Sequence, residues 1–133
     1  MLTHSEKRSL LHIYILSHEG KPVRSIDLAN ALSVSRSSVV KMLRRLLKQD
    51  LIEQERYGEI YLTPSGISEA NQLFTKYTIL YEFFHRCLHV PLDVARQDAI
   101  SCLCGLSEES TEKITKLMVR FSQTTQTTKQ PSQ

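Results

Sequence analysis

Between Ser33 and Lys48 the chain carries five basic side chains, Arg36, Lys41, Arg44, Arg45 and Lys48, and no acidic one. In the same stretch Val39, Met42, Leu43, Leu46 and Leu47 recur at helical spacing. The spacing predicts an amphipathic helix whose apolar side needs a body to pack on and whose other side is strongly cationic. Ser35 can cap it. Ahead of it, Ile26, Ala29 and Leu32 mark a short helix capped by Ser25, and Ser33-Val34-Ser35 makes a tight polar break. Further back, Glu6 to Ser17 presents Leu10, Ile13 and Tyr14 on one face, widened by Leu11, Ile15 and Leu16, with Gly20 and Pro22 ending the helix. Beyond Lys48, Leu51 to Arg56 and Glu59 to Leu62 flank Tyr57-Gly58, a hairpin pattern in which Gly58 can take positive φ.

Two short helices, a tight turn and a hairpin together predict a winged helix-turn-helix, whose second helix has the dimensions of the DNA major groove. The candidate contacts are Ser35, Arg36, Ser37, Ser38, Lys41, Arg44 and Arg45 on the basic helix, with Arg56 and Tyr57 at the hairpin tip. Arg36 and Lys41 can donate to guanine edges, and Ser37 and Ser38 sit where a helix N-terminus favours phosphate. Arg56 and Tyr57 could reach the neighbouring minor groove or backbone. A merely solvated basic face is the alternative for such a helix. The preceding helix, the turn and the following hairpin weigh against it.

Thr63-Pro64 starts a further helix that could run to about Leu88, with Gly66 as a weak point in its first turn. Leu92 to Cys104 reads as another, ended by Gly105 in the left-handed conformation, and Ser107 caps a last one reaching about Phe121. From Ser122 onward the only apolar side chain is proline, so residues 122–133 are expected to be a disordered polar tail. The fold class is therefore mainly α with a small β-hairpin wing: residues 1–66 as the winged helix-turn-helix, 67–121 as a helical dimerisation region. Leu73, Tyr77, Leu80, Phe83 and Phe84 form the stripe expected to pair with its own copy.

The net charge of +3 is too small to identify a nucleic-acid partner by itself; the clustering of the charge does more. No apolar run approaches a membrane span, the N-terminal residues are unlike a secretory signal, and three cysteines make no disulfide framework, so a cytoplasmic location is expected. No phosphate loop, nucleophile elbow or intact metal-ligand motif is present, which argues against an enzyme. The expected partners are double-stranded DNA and a second copy of the chain, without a membrane.

The stretch from Ile26 to Leu43, followed by Leu51-Ile52, Tyr57-Gly58, Ile60, Leu62-Thr63 and Gly66, resembles the metal-dependent repressors typified by the diphtheria toxin repressor and the manganese transport regulator. The likeness covers residues 6 to about 121 and is stronger in the first half; Leu80, Phe84, Ala95, Asp98, Leu106 and Ser107 still follow it later. It implies a homodimeric DNA-binding regulator, a repressor, with a manganese or iron site joining the first helix to later ones. The positions it assigns to the metal ligands fall on Arg8, Leu11, Thr78, Ile100, Leu103 and Cys104, of which only Cys104 carries a suitable donor. No cofactor is therefore expected, although the resemblance implies manganese or iron. Arg8 could replace the ion by tying the first helix to Glu82 or Asp98. His85 and His89, four apart, could share a metal if both lie on one helix, and Cys104 could sense redox state, whereas Cys102 and Cys104 point to opposite sides. Other readings are a protein-interaction winged helix, which the acid-free basic stretch disfavours, and a regulator of the multiple-antibiotic-resistance type, which would place more helix before the module.

Overall fold

The computed structural model describes residues 2–18, 22–56 and 58–129, with side chains as far as residue 123. Gly20, expected to help end the first helix, lies outside the described residues.

Helix α1 (His4–Ser17) begins two residues earlier than its apolar stripe suggests. Thr3 and Glu6 form a capping box: the Glu6 amide donates to Thr3 Oγ1 at 3.1 Å, and the Thr3 amide donates to Glu6 Oε1 at 3.4 Å. In α2 (Ser25–Leu32) the cap is Arg24 rather than Ser25; the Asp27 carboxylate accepts the Arg24 amide at 3.0 Å, so Ser25 is already helical. The chain turns through Ser33, held left-handed at φ 54°. Helix α3 (Arg36–Lys48) then starts at Ser35, whose Oγ accepts the Ser38 amide at 3.2 Å.

Strands β1 (Ile52–Gln54) and β2 (Ile60–Leu62) pair antiparallel with Ile52 opposite Leu62. Between them the Gly58 amide donates to the Glu55 carbonyl at 2.9 Å, and Gly58 takes φ +85° as the turn requires. Val23 bridges the other edge of β2, with the Ile60 amide donating to its carbonyl at 2.8 Å. Leu10 and Ile13 of α1, Leu28 and Leu32 of α2, Val39, Leu43 and Leu46 of α3, and Ile52 and Ile60 of the hairpin are buried and hold these elements together.

Helix α4 (Pro64–Glu82) starts as Thr63-Pro64 predicts: Thr63 Oγ1 accepts the Gly66 amide at 3.0 Å and donates to the Asp50 carbonyl at 2.6 Å. Gly66 is no weak point, because a Cβ there would lie 1.9 Å from the Leu51 carbonyl oxygen; the close approach requires glycine. The helix widens into a π-helical turn at Phe83–Cys87. Helix α5 (Leu92–Gly105) keeps Gly105 helical; its end is made by extended Leu106, not by a left-handed glycine, because the chain must straighten to let Ser107 cap the next helix. Ser107 Oγ accepts the Ser110 amide at 3.1 Å, and α6 (Glu108–Lys129) continues past Phe121 through most of the stretch expected to be disordered. No glycine or proline interrupts it before Pro131, and helical hydrogen bonds need no apolar side chain.

The chain divides into two compact units, Met1–Phe74 and Thr75–Gln133, so the boundary lies inside α4 rather than after residue 66. The first unit takes the opening turns of α4: the Tyr14 hydroxyl donates to Asn71 Oδ1, and the Tyr14 and Phe74 rings lie 5.1 Å apart. In the second unit α5 and α6 pack on the π-helical turn, with the Phe83 and Phe121 rings edge to face at 5.6 Å.

Candidate nucleic-acid interface

Helix α3 buries Val39, Leu43 and Leu46 against the first unit. Residues on a helix rotate by about 100° each, so the opposite ridge is Ser37, Lys41, Arg44 and Lys48, all exposed. Arg36 lies on one flank, Ser38 and Arg45 on the other, likewise exposed. Among the described residues none of the five basic side chains of α3 is in an ion pair, although Glu6 feels the charge of Arg45. The ridge is thus a row of uncompensated cations. Lys48 belongs to it by spacing and is absent from the sequence-derived contact set.

Two readings of this helix change. Leu47 was expected inward, but it is 38% exposed, because it stands one residue, and so a quarter-turn or more, past the buried Leu46. Val40, which the apolar pattern left unassigned, is 42% exposed beside the cationic ridge. At the N-terminus, Ser35 Oγ lies 3.1 Å from Ser37 Oγ and 2.9 Å from Ser38 Oγ, so both hydroxyls expected to face phosphate are bonded to the capping Ser35.

The hairpin differs in charge. Arg56 is exposed at its turn, but Glu53 and Glu55 are exposed alongside it, and Glu59 pairs with Arg24 at 3.6 Å. Glu59 also accepts the Tyr61 hydroxyl, a bond that, with burial and nearby acids, pushes the Tyr61 phenol up to about 12. Tyr57 lies outside the described residues.

Behind α3, Glu6 couples the first helix to the recognition-type helix. Its Oε1 accepts Gln49 Nε2 at 3.0 Å, and the same amide nitrogen lies 3.3 Å from the Arg45 carbonyl at the end of α3. Burial pushes the Glu6 carboxyl up, but the bonds from Gln49 and Thr3 and the charge of Arg45 outweigh it, and the group sits below its usual range.

The positions that the resemblance assigns to metal ligands do not fit a metal. Leu11 and Leu103 are buried hydrocarbon, Ile100 has no donor atom, Arg8 is an exposed cation, and Cys104 is a buried thiol. Glu82, a candidate partner for Arg8, is 2.6 Å from Arg86 on its own helix. The shared-face reading of His85 and His89 fails: His85 lies in the π-helical turn with Nδ1 2.8 Å from the Val90 carbonyl, and His89 is beyond the helix end at φ 60°. Among the described residues no three histidine, cysteine or acidic side chains gather where they could hold an ion. Burial pushes the Cys102 thiol up, and Asp98 adds to the shift, which leaves less reactive thiolate.

Of the expected self-pairing stripe, Leu73, Tyr77 and Leu80 are buried within the single chain, and Phe83 and Phe84 are half-buried. The first three are therefore core residues; helical spacing alone cannot tell an intrachain from an interchain partner. Among the described residues no helix is long and apolar enough to cross a membrane.

A family model described as "Iron dependent repressor, N-terminal DNA binding domain" matches residues 1–60. The chain is 32% identical over 123 residues to an HTH-type transcriptional regulator MntR of Geobacillus kaustophilus, covering 92% of this chain and 86% of that protein. It is 28% identical over 113 residues to an uncharacterised HTH-type transcriptional regulator of Methanocaldococcus jannaschii, covering 84% and 90%. Among solved structures, T. acidophilum IdeR superposes with a TM-score of 0.74 at 27% identity; the match covers 92% of this chain but only 55% of IdeR, so the chain spans about half that protein's length. With the basic helix-turn-helix inside the matched region, and that identity across most of a curated relative, the chain belongs to the DtxR/MntR family of DNA-binding transcriptional regulators.

Proposed function

We propose that the chain is a sequence-specific repressor that lays α3 in the major groove of double-stranded DNA as a homodimer. The observation that carries this reading is the ridge of Lys41, Arg44 and Lys48, exposed and in no ion pair among the described residues, on a helix anchored by Val39, Leu43 and Leu46. Arg36 and Lys41 reach base edges, while Arg44, Arg45 and Lys48 face phosphates as the groove curves away. Ser37 lies on the ridge, and Ser35 and Ser38 support the helix entry. Arg56 is the hairpin's cationic contact, and the acids around it make that contact secondary.

The second unit supports self-association. It leaves Leu117 66% and Phe121 52% exposed, and Phe121 lines a groove of about 750 Å³ together with Ile79, Arg86 and Val119 among others. Apolar surface of that kind favours a second copy, so the pairing surface shifts from Leu73, Tyr77 and Leu80 to α6, whose Phe121 packs on Phe83. The matched family model is described as iron dependent, but among the described residues no ligand set for such an ion gathers, and we read this chain's DNA binding as independent of iron and manganese.

The test is a salt titration of duplex binding with and without chelator. A dimer contacting several phosphates per subunit loses on the order of a thousandfold affinity between about 50 and 200 mM salt, with no effect of chelator. An affinity indifferent to salt would point to a protein-interaction module, and a metal requirement would overturn the metal-independent reading.

A further inference from the structure

We propose that Val40 is a specificity-determining residue that reads the C5-methyl group of a thymine, so that the preferred duplex carries an A·T pair opposite the second turn of α3. This rests on the reading of α3 as the groove-entering helix and adds what that helix reads.

Val40 is 42% exposed, whereas its neighbour Val39 is fully buried, so the valine is no part of the apolar anchor. Around it on the helix surface stand Arg36, Ser37 and Arg44, three or four residues away and all exposed. The isopropyl group is therefore an apolar spot set into a polar, cationic face. Local structure does not ask for it, since a β-branched residue is a poorer helix former than lysine, arginine or alanine at a solvent-facing position. It is the fifth residue of α3, within the N-terminal half that reaches base edges when such a helix enters the groove. Exposed Leu47, by contrast, is in the last turn, and Val34 precedes the helix.

A valine side chain can neither donate nor accept a hydrogen bond. In the major groove the one apolar feature of any base pair is the thymine methyl; guanine and cytosine present acceptors and a donor there. A G·C pair facing Val40 would lose water from those polar edges and gain nothing in return. The thymine methyl loses water favourably against the isopropyl group. The arginines beside it, Arg36 and Arg44, keep the duplex close enough for that contact.

The experiment uses the full chain. A duplex is first selected from a random-sequence library, and each of its thymines is then replaced singly by uracil, which removes only the methyl group. Dissociation constants are measured for the wild type and for Val40→Ala, whose fold is verified by its thermal transition; alanine raises helix propensity at an exposed site, so the variant stays folded. The expected result is at least one thymine whose replacement weakens wild-type binding about fourfold, the ratio equivalent to burying one methyl group, while Val40→Ala binds both duplexes alike. A wild type indifferent to every replacement, or a penalty that persists in Val40→Ala, overturns the assignment. If the duplexes still bind with steep salt dependence, only the Val40 assignment falls; if no duplex binds at all, the groove reading falls with it.

Discussion

Glu6 shows how one residue can serve two helices. It is only 5% exposed, closes the capping box of α1 and takes the Gln49 amide at the end of α3. Burial pushes its carboxyl up, but those bonds and the charge of Arg45 outweigh that push and hold it below the ordinary glutamate value of 4.5. The stability it contributes is therefore fully present above about 4.5 and is lost as pH falls through the lower folded value. Glu6→Gln should cost about 1–2 kcal/mol at pH 7 and flatten the acid limb of a urea-denaturation series; an unchanged acid limb would remove Glu6 from this role. Gly66 makes the opposite kind of contribution, by absence: Gly66→Ala puts a methyl group against the Leu51 carbonyl. It should destabilise by about 1–3 kcal/mol or more, measured in the same assay. At His89 the strain is local, since a non-glycine residue holds φ 60°, and His89→Gly should raise the thermal midpoint, with a gain of up to about 1 kcal/mol. The capping box was open to reading from Thr3 and Glu6, three residues apart, but the reach from Glu6 to Gln49 was not, because 43 residues separate them in sequence.

At the scale of the element, α3 separates anchoring from contact by face. Leu46→Ala should cost about 2–5 kcal/mol of stability, because Leu46 is fully buried. Lys48→Ala, which removes a proposed phosphate contact, should leave the urea midpoint nearly unchanged and lower the slope of log affinity against log salt by about one. Equal loss of stability in both variants would mean that the two faces are not divided as described. The period of the apolar residues made this helix legible, together with its Ser35 cap, yet it assigned Leu47 to the wrong side. A stripe read by eye tolerates a quarter-turn error that a packed neighbour does not. Helix α6 gives the converse lesson: its polar end looked unable to order, but residues 122–129 extend a helix already nucleated at Ser107, and propagation is far easier than nucleation.

For the whole molecule, the proposed pairing through the exposed α6 face predicts concentration-dependent assembly. Phe121→Glu should shift sedimentation equilibrium toward the monomer by tenfold or more in dissociation constant, a shift of about 1.4 kcal/mol, while the thermal transition of dilute protein is retained. A dimer equally stable in that variant would place the pairing surface elsewhere. The division at Phe74 also belongs to this scale. Helix α4 is one uninterrupted element in sequence, but its first turns pack with Tyr14 in the first unit, and only its later part belongs to the second.

The order of helices, the hairpin, the glycine turn at Gly58 and the cationic character of α3 were all determined by sequence, because each depends on residues within a turn or two of one another. Tertiary structure alone decided that Gly66 must lack a side chain, that Leu73, Tyr77 and Leu80 are spent inside one chain, that Val40 stands outward, and that His85 and His89 do not share a helix face. Those outcomes depend on which surfaces meet across long stretches of chain, or on a local π-helical turn. Periodicity fixes which way a side chain leaves its own helix; only the packed fold fixes what it finds there.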